Sequence, residues 1–281
     1  MAINRKDGWS FSKALFAGLS SDRVGLISAG IAFYGMLSLF PGLAAVMALG
    51  GLLTKPTVLI DQMQQIGSVL PPEASKLIID QAVQIAGSEK GGLGVAAIVG
   101  FALSIYSASN AVGSLIVGIH VAAGERETRG FFASYFFVFV MTMVTIALAL
   151  LAIFSTVVVP AVLAALNVSA WVAALLGLVR WPIMALIAVM GLSLFYRLSI
   201  PRRSQPQWVT PGAVAGAALW LIGSVAFSIY VQNFANYNKT FGTLGGVVSL
   251  LIWLWLSAYV ALLGEEVNSI IEIRRKAKWA A

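Results

Sequence analysis

The chain has 281 residues, of which 59% are hydrophobic and only 10% are charged, and its formal net charge is +7 at pH 7. Soluble domains carry about 25% charged residues, so this composition excludes an ordinary soluble protein; the length leaves room for about six membrane spans of ~20 residues. The chain contains no cysteine, which excludes disulfide bonds, thiolate metal sites and cysteine nucleophiles.

The N-terminal segment, residues 1–23, mixes apolar and basic side chains. Phe11, Leu15 and Leu19 fall on one face of a helix, and basic residues lie between them. This pattern predicts a short amphipathic helix in the membrane interface. The segment is too polar for the core of a signal peptide, so we expect it to be retained.

The first predicted span covers residues 24–53 and contains Pro41. Because proline lacks a backbone N–H group, we expect the helix to kink or break there. The next segment, residues 54–91, carries two apolar stripes at helical spacing, and Pro71 and Pro72 mark a helix start between them. These features predict an amphipathic helical hairpin at the outer face, too polar to span the membrane.

Five further apolar runs complete the membrane domain. They predict spans at about residues 92–119, 131–159, 171–198, 211–231 and 244–264. The sequence thus predicts an all-α, polytopic bundle of six transmembrane helices over residues 24–264. A basic tail follows at residues 265–281.

The second span carries a small residue at every fourth position. The stripe consists of Gly92, Ala96, Gly100, Ser104 and Ala108. Small residues let a second helix approach closely, which matters because lipid supplies no hydrophobic drive for helix association. We therefore expect this span to lie inside the bundle.

Lysine and arginine are distributed unevenly among the connecting segments. With the N-terminus inside, 13 of the 18 basic residues fall in cytoplasmic segments and only four fall outside. The positive-inside rule then predicts that both termini are cytoplasmic. Arg180 is the remaining basic residue, and it lies within a span.

Arg180 is the strongest candidate for a functional residue. An arginine at a helix centre costs about 2.5–3.5 kcal/mol on insertion scales, so its guanidinium must face a partner, a cavity or the interface. It either contacts an anion or a lipid headgroup in a cavity, or clamps neighbouring helices through backbone carbonyls. Pro182 favours a cavity, because it frees the carbonyl of Leu178 and disturbs the local backbone.

Other polar candidates lie at the ends of spans. Glu265 and Glu266 close the sixth span, either as an interfacial pair that faces Arg274 and its basic neighbours, or as a gate or proton-titrating acid. Asn233 opens a polar connection after the fifth span. That connection is either an ordinary loop or a re-entrant segment.

Several motifs occur together in one known family. Residues 32–41 read Ala-Phe-Tyr-Gly-Met-Leu-Ser-Leu-Phe-Pro. Further motifs are Arg180-Trp181-Pro182, Tyr196-Arg197, Pro211-Gly212-Ala213, Phe227-Ser228-Ile229-Tyr230, Phe241-Gly242-Thr243-Leu244 and Leu263-Gly264-Glu265-Glu266. In this order they resemble the YihY/BrkB family of bacterial inner-membrane proteins, with its AFY..LSLFP signature. The resemblance spans nearly the whole chain and implies six spans in the inner membrane, while pointing towards transport or lipid handling. Within the signature run, Tyr34, Ser38 and Pro41 are candidate cavity residues.

The family was once named ribonuclease BN, and that name can be tested against the residues. A hydrolytic nuclease needs clustered His, Asp and Glu side chains, whereas this chain has one histidine, His120, and 11 acidic residues that lie mostly in loops. No phosphate-binding loop, Gly-x-Ser-x-Gly elbow or His-Glu-x-x-His pair is present. We therefore expect no enzyme activity and no catalytic, cofactor or metal site. Nor do we expect a nucleic-acid partner, because the basic runs lack stacking aromatics or a known reading module.

The leading hypothesis is a transporter or lipid-handling protein for an amphiphilic or anionic substrate. Its bundle would enclose a cavity that Arg180 reaches and that Pro41 and Pro182 border. The alternative is a non-transporting membrane scaffold for envelope organisation, in which Arg180 is a helix clamp. Membrane lipids are the expected partners under either hypothesis.

Overall fold

The structure, a computed structural model, describes residues 5–53, 75–76, 79–80, 83, 93–165, 170–200, 208–233 and 243–280. Within these residues it contains seven helices: α1 (Arg5–Ser21), α2 (Val24–Leu53), α3 (Leu93–Ala122), α4 (Phe131–Ala165), α5 (Ala170–Ser199), α6 (Pro211–Asn233) and α7 (Thr243–Ala280). Helices α2 to α7 are each long and apolar enough to cross a membrane. The predicted all-helical bundle with six spans is confirmed. The predicted hairpin at 54–91 lies outside the described residues, apart from the short stretches given above.

The helices α2 and α5 continue through their internal prolines. Pro41 lies inside α2 and Pro182 inside α5, so neither residue ends its helix. Of the two outcomes expected at Pro41, the break does not occur and the kink stays a prediction. A proline removes one backbone donor, and neighbouring side chains can satisfy carbonyls near it. Close to Pro41, Ser104 Oγ of α3 donates to the backbone carbonyl of Ser38 over 3.0 Å.

Helices α2 and α3 form the most extensive helix pair. A Cβ atom added to Gly100 would lie 3.0 Å from the carbonyl oxygen of Pro41, and one added to Gly42 would lie 2.8 Å from Ser104 Oγ. Both distances are shorter than a normal van der Waals contact. The predicted role of the small-residue stripe is confirmed at Gly100 and Ser104, where it allows the backbones to approach.

Helices α6 and α7 cross even more closely. A Cβ atom on Gly212 would overlap the carbonyl oxygen of Gly264. A Cβ atom on Gly264 would lie 2.6 Å from the Gly212 carbonyl oxygen and 2.6 Å from Tyr196 Oη of α5. Glycine is therefore required at both positions, since any side chain would push the helices apart.

One apolar core joins all seven helices at a single end of the bundle. Its buried members are Leu19, Val24, Val112, Ile116, Ile119, Met141, Phe195, Tyr196, Ile200, Ala213 and Leu262. Leu15 and Leu19 attach α1 to this core, as its predicted apolar face requires. Arg274 Nη2 of α7 also donates to Ser10 Oγ of α1 over 2.9 Å. Helix α1 and the C-terminal part of α7 therefore lie at the same end of the bundle, which we call the α1 end.

Helix α7 is longer than the sequence predicts. The apolar run ends at Gly264, but the helix continues to Ala280, so the predicted basic tail extends the last span as helix. No glycine or proline interrupts this extension. On its exposed side Lys276 Nζ lies 3.1 Å from Glu272 Oε1, one helical turn away. Such pairs support a helix that has left the apolar medium.

We predict that Gly264→Ala prevents normal folding. The added methyl group must displace either the Gly212 backbone or Tyr196, and overpacking of this kind costs about 1–3 kcal/mol or more. Gly30→Ala is the matched control, because a Cβ atom there meets no other atom within 4 Å. Size-exclusion profiles and thermal unfolding midpoints in detergent measure the effect. Equal midpoints for the two variants would contradict the crossing geometry.

Candidate functional site

The residues singled out from the sequence do not all lie in one place. Arg180 lies within α5 and Asn233 ends α6, and both side chains lie outside the described part of the structure. Pro182 is exposed on α5. The remaining candidates divide between a cavity, the α2–α3 contact and a polar junction at the α1 end.

A cavity of about 580 Å³ lies between α2, α3 and α4. Its polar lining residues are Tyr34, Ser109, Asn110, Ser114, His120, Glu127, Ser134 and Tyr135. The other lining residues are Ile27, Gly30, Gly113, Ile116, Val117 and Val138. Ligand sites commonly have volumes of about 300–1,000 Å³. We call this cavity the groove.

Only one residue of the signature run lines the groove. Tyr34 of α2 does so. Ser38 instead belongs to the contact with α3, where its hydroxyl donates to the Gly35 carbonyl over 2.8 Å and its carbonyl accepts from Ser104. Pro41 lies in the same contact. The family resemblance thus led to one groove residue and to two residues that join α2 to α3.

Helix α3 supplies most of the polar lining. Ser109, Asn110, Ser114 and His120 recur at spacings that place them on one side of the helix. Asn110 lies in the middle of the apolar span Ile98–Ala122. An amide at this depth needs a polar partner or a water-accessible cavity. Asn110 was not among the residues predicted from the sequence, although a single amide within an apolar span was the available signal.

The groove opens sideways onto the outer surface of the bundle. Val117 and Tyr135 both line it, yet they are 57% and 67% exposed. On the opposite wall, the space that a side chain would fill at Gly30 is empty, since a Cβ atom there meets nothing within 4 Å. In a membrane this opening faces lipid. A molecule can therefore place a polar part among the lining residues while its apolar part stays in the bilayer.

At the α1 end, the connection between α3 and α4 closes the groove. His120 Nε2 lies 2.8 Å from the Ser199 carbonyl oxygen and 3.9 Å from Glu127 Oε2. Arg129 Nη1 donates to Glu127 Oε1 over 3.1 Å, and its Nη2 donates to the Leu198 carbonyl over 2.7 Å. These contacts tie the connection to the last turn of α5. His120 is the single histidine of the chain, and the sequence alone predicts no role for it.

A second set of polar residues joins α5, α6 and α7 beside the glycine crossing. Asn268 Oδ1 accepts from the Gly212 backbone N–H over 2.8 Å. Its amide Nδ2 donates to Glu265 Oε2 over 3.0 Å and to Thr210 Oγ1 over 3.2 Å. Tyr196 Oη donates to the Ala261 carbonyl over 2.5 Å. We call these residues the polar junction; their side chains are buried, and the Glu265 residue is 0% exposed.

Glu266 lies next to the polar junction and faces α1. The residue is 3% exposed, and its carboxyl group faces those of Asp22 and Glu265. Its Oε1 has no hydrogen-bond partner. A Cβ atom on Gly18 would lie 2.7 Å from its Oε2, so α1 packs directly on the carboxyl group. Neither glutamate lies at the exposed surface of the helix, and neither is among the residues that line the groove.

Comparison with known proteins finds one family and several relatives. Residues 15–280 match the family described as virulence factor BrkB. The protein YfkH of Bacillus subtilis, whose name describes it as ribonuclease-like, is 29% identical over 271 residues, which cover 95% of this chain and 97% of YfkH. A UPF0761 membrane protein of Pseudoalteromonas atlantica is 30% identical over 86 residues, 31% of this chain and 29% of the relative. Another, from Chromohalobacter salexigens, is 38% identical over 71 residues, 24% of this chain and 17% of the relative. No solved structure matches the chain.

We predict that Asn268→Ala destabilises the protein by about 1–3 kcal/mol, because it leaves the buried Gly212 N–H without its acceptor and removes a hydrogen bond from Glu265. Glu266→Gln is the control on the same helix. It keeps the shape of the side chain and removes a buried ionisable group that faces two other carboxyls, so we expect an unchanged or higher unfolding midpoint. Chemical unfolding in detergent, followed by tryptophan fluorescence, measures both variants. An equal loss of stability in the two variants would contradict the different hydrogen bonding that we describe for Asn268 and Glu266.

Proposed function

The chain belongs to the virulence factor BrkB family of multi-pass membrane proteins, and we propose that it binds a membrane amphiphile in the groove and moves it between leaflets. The observation that carries this proposal is a polar lining that opens sideways to lipid within a bundle of membrane spans. The proposal includes no enzymatic step. It places the protein in the cytoplasmic membrane with both termini inside, in accordance with the distribution of lysine and arginine.

The energetics of the lining support an amphiphile over a wholly apolar ligand. Polar groups that face hydrocarbon without partners cost about 1–3 kcal/mol each on the scale of protein mutations. Asn110 and Ser114 would carry this cost if acyl chains filled the groove. A headgroup, or water that accompanies one, supplies the missing hydrogen bonds.

The geometry also supports an amphiphile over a small solute. A solute carrier needs walls that exclude lipid around the whole substrate. The groove instead has one open side, where Val117 and Tyr135 are exposed. Only the headgroup of an amphiphile needs to leave the bilayer, so an open side is no obstacle to its passage.

We predict that Gly30→Leu blocks lipid movement without unfolding the protein. The leucine side chain enters empty space in the groove wall. Gly130→Leu is the matched control, since a Cβ atom there also meets nothing within 4 Å and Gly130 does not line the groove. Vesicles that contain the protein and a fluorescent phospholipid are treated with an impermeant quencher, and the rate at which inner-leaflet lipid becomes accessible is measured.

In this assay the wild-type protein and Gly130→Leu should move lipid, and Gly30→Leu should fall to the rate of protein-free vesicles. Equal rates for the two leucine variants would contradict the groove as the path. No movement by the wild-type protein would favour the alternative of a scaffold.

Arg180 is tested separately, because its side chain is not described. We predict that Arg180→Gln leaves expression and the unfolding midpoint close to wild type but abolishes lipid movement. The physical reason is that a cation within a span can attract the phosphate of a passing lipid. Loss of the folded protein would indicate instead that Arg180 clamps helices.

A further inference from the structure

We infer that the groove selects amphiphiles whose headgroup carries an ammonium group with N–H donors, in preference to headgroups that are only anionic. This inference rests on the proposed function and names its substrate class. It is drawn from the hydrogen-bonding groups at the α1 end of the groove.

The first of these groups is the His120 ring. The Ser199 carbonyl oxygen can only accept a hydrogen bond, so His120 Nε2, at 2.8 Å, carries the hydrogen and donates it. In the neutral ring, Nδ1 then has a free lone pair. No described residue bonds to this Nδ1. Since His120 lines the groove, it offers an acceptor to a ligand there.

The second group is the Glu127 carboxylate. It lines the groove next to His120, and it is the only charged side chain among the described lining residues. Arg129 does not line the groove. It lies behind the carboxylate, where it bonds to Glu127 and to the Leu198 carbonyl and stacks on the Phe137 ring at 3.9 Å. Glu127 Oε1 accepts from both the backbone N–H and Nη1 of Arg129, whereas Oε2 accepts one longer bond, 3.3 Å from Nη1, and lies 3.9 Å from His120 Nε2. The acceptor left on the groove side of this ion pair is therefore Oε2.

The other polar lining residues do not reverse this preference. Asn110 has an amide and the others have hydroxyl groups, so each can donate or accept: Tyr34, Ser109, Ser114, Ser134 and Tyr135. They bind a phosphate or a hydroxyl equally well. The choice between headgroups is made where only acceptors are available, at His120 and Glu127. A primary ammonium group has three donors and a positive charge, and it matches both.

The volume of the groove is consistent with this class of ligand. A space of about 580 Å³ holds a zwitterionic headgroup together with its phosphate. The ammonium would lie towards Glu127, at the α1 end. The phosphate would lie further along the groove, where Ser114 can donate to it.

Three phospholipids that differ only in the headgroup separate the possible causes. Ethanolamine lipid has a positive charge and N–H donors, choline lipid has the charge without donors, and glycerol lipid has hydroxyl donors and a net negative charge. Each is given the same fluorescent acyl chain in vesicles of one carrier lipid that contain the full-length protein. The movement rate of each is measured with the impermeant quencher.

We expect the ethanolamine lipid to move about tenfold faster than the other two, the factor that one charge-assisted hydrogen bond provides. Glu127→Gln should bring the three rates together. Glu125→Gln is the matched control, because it removes the same charge from the same connection but does not line the groove. Unchanged unfolding midpoints establish that both variants are folded.

The outcomes distinguish this inference from the proposed function. Equal rates for all three lipids in the wild-type protein would overturn the inference and leave lipid movement intact. A choline rate equal to the ethanolamine rate, or a faster glycerol lipid, would also overturn it. An equal effect of Glu125→Gln would assign the preference to the general charge of the connection and overturn the role of Glu127. Failure of the wild-type protein to move any lipid would overturn the proposed function itself.

Discussion

Direct backbone contact between helices is the constraint on which this bundle depends. In a membrane the apolar effect does not press helices together, so they associate through close packing and hydrogen bonds. The chain meets this requirement at two crossings, one between Gly212 and Gly264 and one around Gly42 and Gly100. At the first crossing, Asn268 also satisfies backbone and side-chain groups of α6. The N-terminus of α6 and helix α1 then pack on the extended part of α7. This packing explains why Glu265, Glu266 and Asn268 are buried at the α1 end.

The same constraint positions the groove. Helix α3 uses its small residues, such as Gly100 and Ser104, to approach α2 near Pro41. Nearer the α1 end the two helices stay in contact, since a Cβ atom on Gly118 of α3 would lie 3.0 Å from Ile27 Cγ2 of α2. The groove therefore lies beside this helix pair, where residues of α2, α3 and α4 line a space that they do not fill. The close packing of α2 on α3 fixes the relative position of two of its three walls.

The sequence predicts the spans well and the contacts between them less well. Long apolar runs identify six spans because length and hydropathy are local properties. The stripe at Gly100 also identifies a contact face. The sequence predicts a span that ends at Gly264 but not that the helix continues to Ala280, because the polar residues just beyond Gly264 are buried by α1 and α6, which are distant in sequence. Asn110 was missed for the same reason, since one amide in a span shows that a partner is needed without showing which helix supplies the space.

The α1 end of the groove is held by the unsatisfied carbonyls of a helix terminus. The last carbonyls of a helix have no partner within it, and positive groups are favoured near them. His120 bonds to the carbonyl of Ser199 and Arg129 to that of Leu198, so α5 fixes the connection between α3 and α4. His120 Nε2 and Arg129 Nη2 are both engaged by α5, while Arg129 Nη1 holds the Glu127 carboxylate. The acceptors that we infer on the groove side are therefore the second nitrogen of His120 and Glu127 Oε2. The chemistry that the groove offers to a headgroup is thus a consequence of how the end of α5 is capped.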